Sequence, residues 1–270
     1  MTKLLVISDP HITPAGQTII GLDTLARFRA TLDHALRAHA DAAALILLGD
    51  LTHHGDAASY ARLRDALSAC PVPVIPLLGN HDRRAAFCAA FPAAPVTPDG
   101  HVQTSLALPG HRLITLDTLD GPPYPQGHHG GWLCDARLAW LDAELAATGL
   151  PVLVCAHHPP FETGIVGMDA IRLRNADALM SRLRAHGRAY LLCGHLHRTV
   201  SGVADGVPWT IFKSSGHQGP LDLVTPDSTL SIDEPPAYGV VLLSPAGVAV
   251  HSQDILRGAD IRHDPTSASA

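Results

Sequence analysis

The sequence predicts an α/β fold built on parallel strand pairs, with antiparallel, α+β-like elements in its second half. Three observations predict it. Short apolar runs recur, and each ends in polar side chains: LLVISDPH (4–11), ALILLGD (44–50), PVIPLLGNHD (73–82), PVLVCAHH (151–158) and YLLCGHLH (190–197). Between these runs lie segments with apolar residues at helical spacing. Beyond residue 199 the pattern changes to short β-rich runs that meet at turn-forming dipeptides.

Each element follows from its local pattern. Unbroken apolar runs of this length, bounded by Gly or Pro, suit strands buried on both faces, so each of the five is read as a strand. Leu22, Leu25, Phe28, Leu32 and Leu36 form one helical stripe after the first run. Leu138, Leu141 and Leu145 form another before the fourth run, and Leu179 with Leu183 a third before the fifth. Alternating strands and helices imply parallel pairing. Residues 199–213 and 238–253 turn at Asp205-Gly206 and Ala246-Gly247, which are hairpin signals and predict a second sheet with antiparallel pairs. Residues 216–236, rich in Gly, Pro, Asp and Ser, form a long excursion of the kind that is usually functional. The expected organisation is one domain over 1–257, with a flexible tail over 258–270.

Composition narrows the class. With 46% hydrophobic and 16% charged residues the chain can bury a sizeable core, which excludes disordered and collagen-like proteins. A net charge of −6 and only two lysines, Lys3 and Lys213, argue against a nucleic-acid polymer as partner. A small anionic substrate stays open, because a local metal charge can outweigh the global sign. Five cysteines (Cys70, Cys88, Cys134, Cys155, Cys193) without a CxxC pair fit a reducing compartment. The N-terminal MTKLLVISDPH lacks a signal-peptide pattern and no run is long enough to span a membrane. A soluble, cytoplasmic protein with no membrane partner is the expectation.

In open α/β sheets ligands bind beyond the carboxyl ends of the strands. Convergence there would gather Asp9, His11, Asp50, Asn80, His81, His157, His195 and His197. Imidazole, carboxylate and amide oxygen suit borderline divalent ions such as Zn, Mn and Fe, and the lack of sulfur disfavours a structural zinc site. Two such ions bring four positive charges against the two negative ones of Asp9 and Asp50, leaving a cationic site for phosphate. Ions about 3.5–4 Å apart can polarise phosphoryl oxygens and generate hydroxide from water. Single motifs are weak, since Gly-Asp after a strand is also a common turn. Among the 18 histidines, His34, His39, His101, His111, His186, His251 and His263 are read as surface or satisfied side chains, and His53 and His54 as solvated loop residues.

Taken together, Asp9-Pro10-His11, Gly49-Asp50, Gly79-Asn80-His81-Asp82, His157 and Gly194-His195-Leu196-His197 resemble the calcineurin-like metallophosphoesterase superfamily over residues 4 to 197. The resemblance implies a four-layer αββα sandwich, two mixed β-sheets flanked by helices. It assigns Asp9, His11, Asp50 and His197 to one metal ion. Asp50, Asn80, His157 and His195 go to the other, with Asp50 bridging. His81 would face the phosphate with Asp82 behind it as orienter, and Asn80 and His81 would contact substrate. GDLTxxG (49–55), GNHD (79–82), HHPP (157–160) and His217 are most similar to bacterial class III cyclic-nucleotide phosphodiesterases and glycerophosphodiesterases, in which a His near position 217 contacts phosphate. His53, followed by His54, departs from the Asp or Asn frequent in relatives.

The activity implied is hydrolysis of small phosphodiesters, 3′,5′-cyclic nucleotides or glycerophosphodiesters, by metal-activated hydroxide. Phosphomonoester, phosphonate-ester or nuclease chemistry on the same site is the alternative. A non-catalytic protein-binding scaffold is the other class, and a complete ligand set argues against it. The implied cofactors are two divalent ions (Mn, Fe or Zn), and the implied assembly is a homo-oligomer. Leu221, Leu223, Val224, Leu230 and Ile232 in the excursion are expected to pack on the domain, to close as a lid, or to meet another subunit.

Overall fold

A computed structural model describes residues 1–124 and 129–255. The expected tail and His263 lie outside the described residues. Each of the five apolar runs becomes a short strand: β1 (Thr2–Ile7), β2 (Ala44–Leu48), β3 (Val74–Leu77), β6 (Val152–Ala156) and β7 (Ala189–Cys193). The polar tail of each run falls just after its strand, at the carboxyl edge. The remaining strands are β4 (Thr104–Leu108), β5 (His111–Leu116), β8 (Val200–Ala204), β9 (Val207–Ile211), β10 (Ala237–Ser244) and β11 (Gly247–Asp254).

These strands form two sheets, ordered β11-β10-β1-β2-β3 and β4-β5-β6-β7-β9-β8. The centre of each is parallel: β1 with β2 and β2 with β3 in one, β5 through β6 and β7 to β9 in the other. The antiparallel pairs do not make a separate sheet, as the sequence pattern suggested. The β8–β9 hairpin edges the second sheet, whereas β10 runs antiparallel to β1 and carries β11 to the edge of the first. The β8–β9 turn is Asp205-Gly206, both at positive φ, as a two-residue hairpin requires. In the second hairpin Ser244 pairs with Gly247, so the turn is Pro245-Ala246, one residue earlier than expected.

Helices cover both outer faces. α1 (Thr24–Ala38), α2 (Ala57–Leu67) and α3 (Arg84–Ala90) precede α4 (Asp135–Ala146), α5 (Val166–Asp169) and α6 (Ala176–His186). Asp23 caps α1 by accepting from the Ala26 N–H, and Asp56 caps α2 through Ser59, which satisfies donors that the first helical turn leaves free. Because Asp23 is the cap, the apolar stripe of α1 begins at Leu25, with Leu22 outside the helix.

Three apolar layers result. Leu25, Phe28 and Leu32 pack with Leu5, Ile7, Leu45 and Leu47 on one outer face. Leu138, Leu141, Leu179 and Leu183 pack with Val154, Ala156 and Leu191 on the other. Between the sheets lie Leu4, Val6, Ile46 and Leu48 from the first and Leu113, Leu153, Cys155 and Leu192 from the second. The architecture is the expected αββα sandwich. Strands buried on both faces explain why these runs lack alternation. Among the described residues no helix is long and apolar enough to cross a membrane.

Candidate metal centre

The polar residues after β1, β2, β3, β6 and β7 meet along one edge of the sandwich. Asp9, His11, Asp50, Asn80, His157 and His195 are all buried. Asp9 (φ 48°), His11 (44°), Asp50 (46°), His195 (73°) and His197 (56°) adopt left-handed backbone conformations. Such conformations cost energy in residues with a Cβ and gather at functional sites. Gly79 and Gly194 show why the turns are tight: an added Cβ would lie 2.2 Å from Asp50 Oδ1 in one case and 2.4 Å from Ser8 Oγ in the other.

Asp9, His11, Asp50 and His197 bring one donor atom each within 4.8 Å of one another, the set the resemblance assigns to one ion. His11 Nε2 lies 3.0 Å from His197 Nε2 and 3.4 Å from Asp50 Oδ2, and His197 Nε2 lies 3.4 Å from Asp9 Oδ1. On the far side of Asp50, His157 Nε2 lies 3.3 Å from Asp50 Oδ2 and 3.3 Å from Asn80 Oδ1. Asp50 therefore stands between the two groups. Among the described ion pairs neither Asp9 nor Asp50 meets a Lys or Arg; their charged partners are imidazoles. Buried carboxylates ringed by imidazoles fit divalent ions, whose charge completes the balance.

Outer contacts fix which nitrogen each imidazole presents. His157 Nδ1 donates to the Leu48 carbonyl (2.7 Å), which turns Nε2 toward Asp50. His195 Nε2 donates to the Ile171 carbonyl (3.1 Å), which leaves Nδ1 for the centre. Such partners set tautomer and ring orientation in metal sites. Burial, reinforced by neighbouring histidines, holds His11 and His195 well below the usual imidazole range, so both are neutral donors. Burial opposes charge on His157 too, but Asp50 and Asp9 outweigh it and push the group to about 9. Burial would raise Asp50, yet His157, His81 and His11 keep it well below the usual carboxylate range.

Two expectations about neighbours change. Asp82 does not orient the His81 ring. It is fully buried and accepts from the backbone N–H groups of Leu51, Thr52 and Gly79 and from the Tyr60 hydroxyl, so it ties the loops after β2 and β3 together. His81 is oriented instead by the His53 carbonyl, 2.9 Å from its Nδ1. His53 is not a solvated loop residue: its ring stacks on His81 (5.0 Å, 17°) and its Nδ1 lies 3.3 Å from His11 Nδ1. Burial, with help from His81, lowers it to about 4, so it is neutral. His54 remains exposed.

His217 joins the centre, with its ring 4.4 Å from His197 and 5.1 Å from His11 and its Nδ1 3.0 Å from Ser231 Oγ. Its buried Nε2 has no hydrogen-bond partner among the described residues. His158, which the sequence pattern did not single out, is fully buried against His157 and His195. Its Nδ1 meets Thr118 Oγ1 at 2.8 Å and its Nε2 the His129 carbonyl at 3.2 Å, so both ring nitrogens are engaged and it supports the ligands rather than joining them. The HH pair in HHPP was the available signal.

Above these residues opens a cleft of about 630 Å³, whose floor includes His11, Asp50, Asn80, His81, His195, His197 and His217. Part of its wall is the 216–236 excursion, from Gly219 to Ser231. That excursion packs on the body at α5, where a Cβ on Gly167 would lie 2.5 Å from the Asp227 backbone.

Comparison with known proteins agrees with this geometry. Residues 2–199 match the calcineurin-like phosphoesterase family. A probable cyclic nucleotide phosphodiesterase of Rhodopseudomonas palustris is 39% identical over 253 residues, covering 92% of this chain and 91% of that one. A glycerophosphodiester phosphodiesterase of Enterobacter lignolyticus is 30% identical over 199 residues, covering 71% and 69%. The fold matches that of a purple acid phosphatase from yellow lupin seeds with a TM-score of 0.65 at 13% identity, over 94% of this chain and 51% of that one. The family uses divalent metals, and the clusters described here could hold them. With the family match spanning the whole strand-end centre, this chain belongs to the calcineurin-like phosphoesterases.

Proposed function

We propose that the protein hydrolyses small phosphodiesters at a two-ion centre, with 3′,5′-cyclic nucleotides as first substrates and glycerophosphodiesters as second. The observation that carries this reading is Asp50 standing between two donor groups at the floor of the cleft. The names of the two relatives supply the substrate classes. Asp9, His11, Asp50 and His197 hold one ion, and Asp50, Asn80, His157 and His195 the other. When bound, the ions neutralise phosphoryl charge and lower the pKa of water.

The chain's own groups do the rest. Asp50 Oδ1 accepts the His81 N–H at 2.8 Å, so the loop that carries His81 is tied to the shared carboxylate. With Nδ1 held by the His53 carbonyl, His81 presents Nε2 to the cleft, where it binds a phosphoryl oxygen or protonates the leaving oxygen. His217 Nε2 and the Asn80 side chain are the further groups for phosphate. The cleft of about 630 Å³ has the size of a site for small diesters. Mn, Fe or Zn suit the donor set, and a cytoplasmic homo-oligomer is the form proposed.

A panel of cyclic nucleotides, glycerophosphoethanolamine and phosphomonoesters, run with metal analysis of the purified protein, tests this. Diester turnover that is lost on chelation and restored by reloading is the expected result. Turnover of monoesters alone, or turnover indifferent to chelation, would count against it.

A further inference from the structure

At the end of the sandwich opposite the metal centre, the two sheets leave a second cavity of about 620 Å³. Thr2, Leu243 and the β10–β11 turn line it from the first sheet, and His111, Pro151 and Arg188 from the second. These last three stand in one row, each just before a position paired across β5, β6 and β7: Arg112 with Val152, and Val152 with Ala189. The ladder continues through the row, since the Pro151 carbonyl accepts the Arg112 N–H and the Arg188 carbonyl the Val152 N–H. Two residues further along, Leu113, Leu153 and Tyr190 pack in the layer between the sheets. Side chains two apart share a face, so His111 and Arg188 also belong to the inner face. A basic pair therefore ends an apolar layer.

Neither basic group is fully satisfied by the chain. His111 is buried, yet its Nε2 has no hydrogen-bond partner among the described residues, which is rare for a buried polar atom. Arg188 gives Nη1 to the Gly149 carbonyl at 2.8 Å, and the rest of its fork meets no acid in the cavity. Among the described residues no Asp or Glu lines this space, in a chain with 25 acidic residues against 19 basic ones. One guanidinium fork and one imidazole match a single carboxylate. A phosphate dianion would need more donors, and Pro109, Pro151 and Pro245 around the cavity have no N–H to give. The same prolines, with Leu150 and Leu243, offer apolar surface for whatever the carboxylate carries.

We propose that this cavity is a second binding site, for a monocarboxylate with a short aliphatic body. Arg188 and His111 take the charged head, and Leu150, Leu243 and the prolines take the chain. The site shares no lining residue with the cleft over the metal centre, so it stands apart from the phosphodiesterase reading.

Hexanoate and 1-hexanol have the same chain length and differ in the charged head. Calorimetric titration of each into the full chain reads what the head contributes. Hexanoate is expected to bind about tenfold tighter or more, the scale of hydrogen bonds to a charged group. Arg188→Gln and His111→Gln should each bring the ratio toward one; Arg188 is exposed, so its variant folds even where the other does not. A carboxylate can also meet metal ions, so the same titration on Asp50→Ala separates the two sites, and hexanoate binding should persist there. Equal binding of the two probes, binding of neither, an unchanged ratio in both variants, or loss of hexanoate binding in Asp50→Ala overturns the second site.

Discussion

The floor and the wall of the cleft are built in different ways. At the floor, Asp9 and Asp50 sit on left-handed backbone, and the buried side chains are held by groups from elsewhere in the chain: His157 by the Leu48 carbonyl, Asp9 by the His195 N–H, Asp50 by the His81 N–H. The excursion is held mainly at its neck, where Gln218 pairs with Ile232 and Arg27 reaches Asp233 and Gln218. Inside it, Asp222 and Asp227 accept from N–H groups two or three residues on, forming local turns. Leu221, Leu223 and Val224 remain exposed there. The difference separates two tasks. On the proposed function, chemistry would rest on groups that many distant contacts fix, and selection on a segment that can change without disturbing them.

Substitutions on either side of this division should behave differently. Asp50→Ala removes the carboxylate shared by both donor groups, so turnover should vanish and bound metal should fall in a protein that still folds; near-normal activity after chelation would dissolve the distinction. His81→Ala should keep its metals and lose about 10²–10⁴-fold in rate. That loss should shrink for nitrophenol leaving groups, which need little protonation, and a uniform loss would make His81 a phosphate-binding group only. His53→Ala removes the partner of His11 Nδ1, and ion affinity measured by calorimetry should weaken about 10–100-fold, the range for an outer-shell partner. An unchanged affinity would place His53 outside the floor. Replacing 220–234 with a Gly-Ser linker should shift diester preference about tenfold, or change solution mass, with metal content intact. If preference, mass and KM all match the parent, the wall has no part in selection.

The floor was largely legible in the sequence because its signals are local. An apolar run that ends in Asp-x-His or Gly-Asn-His marks both a strand and what the strand delivers. What escaped depends on contacts between distant segments. The place of β10 beside β1 could not be read from either strand, so the two hairpins were expected in one sheet rather than divided between both. His53 looked solvated because its position beside His11 comes from a bridge between Ile12 and Thr52. Asp82 was read through its neighbour His81, whereas its carboxylate serves three backbone N–H groups from two loops. His158 was not singled out, because its partners Thr118 and the His129 carbonyl come from segments far from it in sequence.

The central claim is that a two-ion centre at the strand ends carries phosphodiester hydrolysis. Its most direct measurement is a titration of Mn²⁺ or Zn²⁺ into chelated protein, following bound ions and bis(p-nitrophenyl) phosphate turnover in the same samples. The account predicts two ions per chain, with turnover absent in the chelated protein and complete only when both are bound. Full turnover with no ion bound, or binding of two ions by Asp50→Ala as tightly as by the parent, would contradict it.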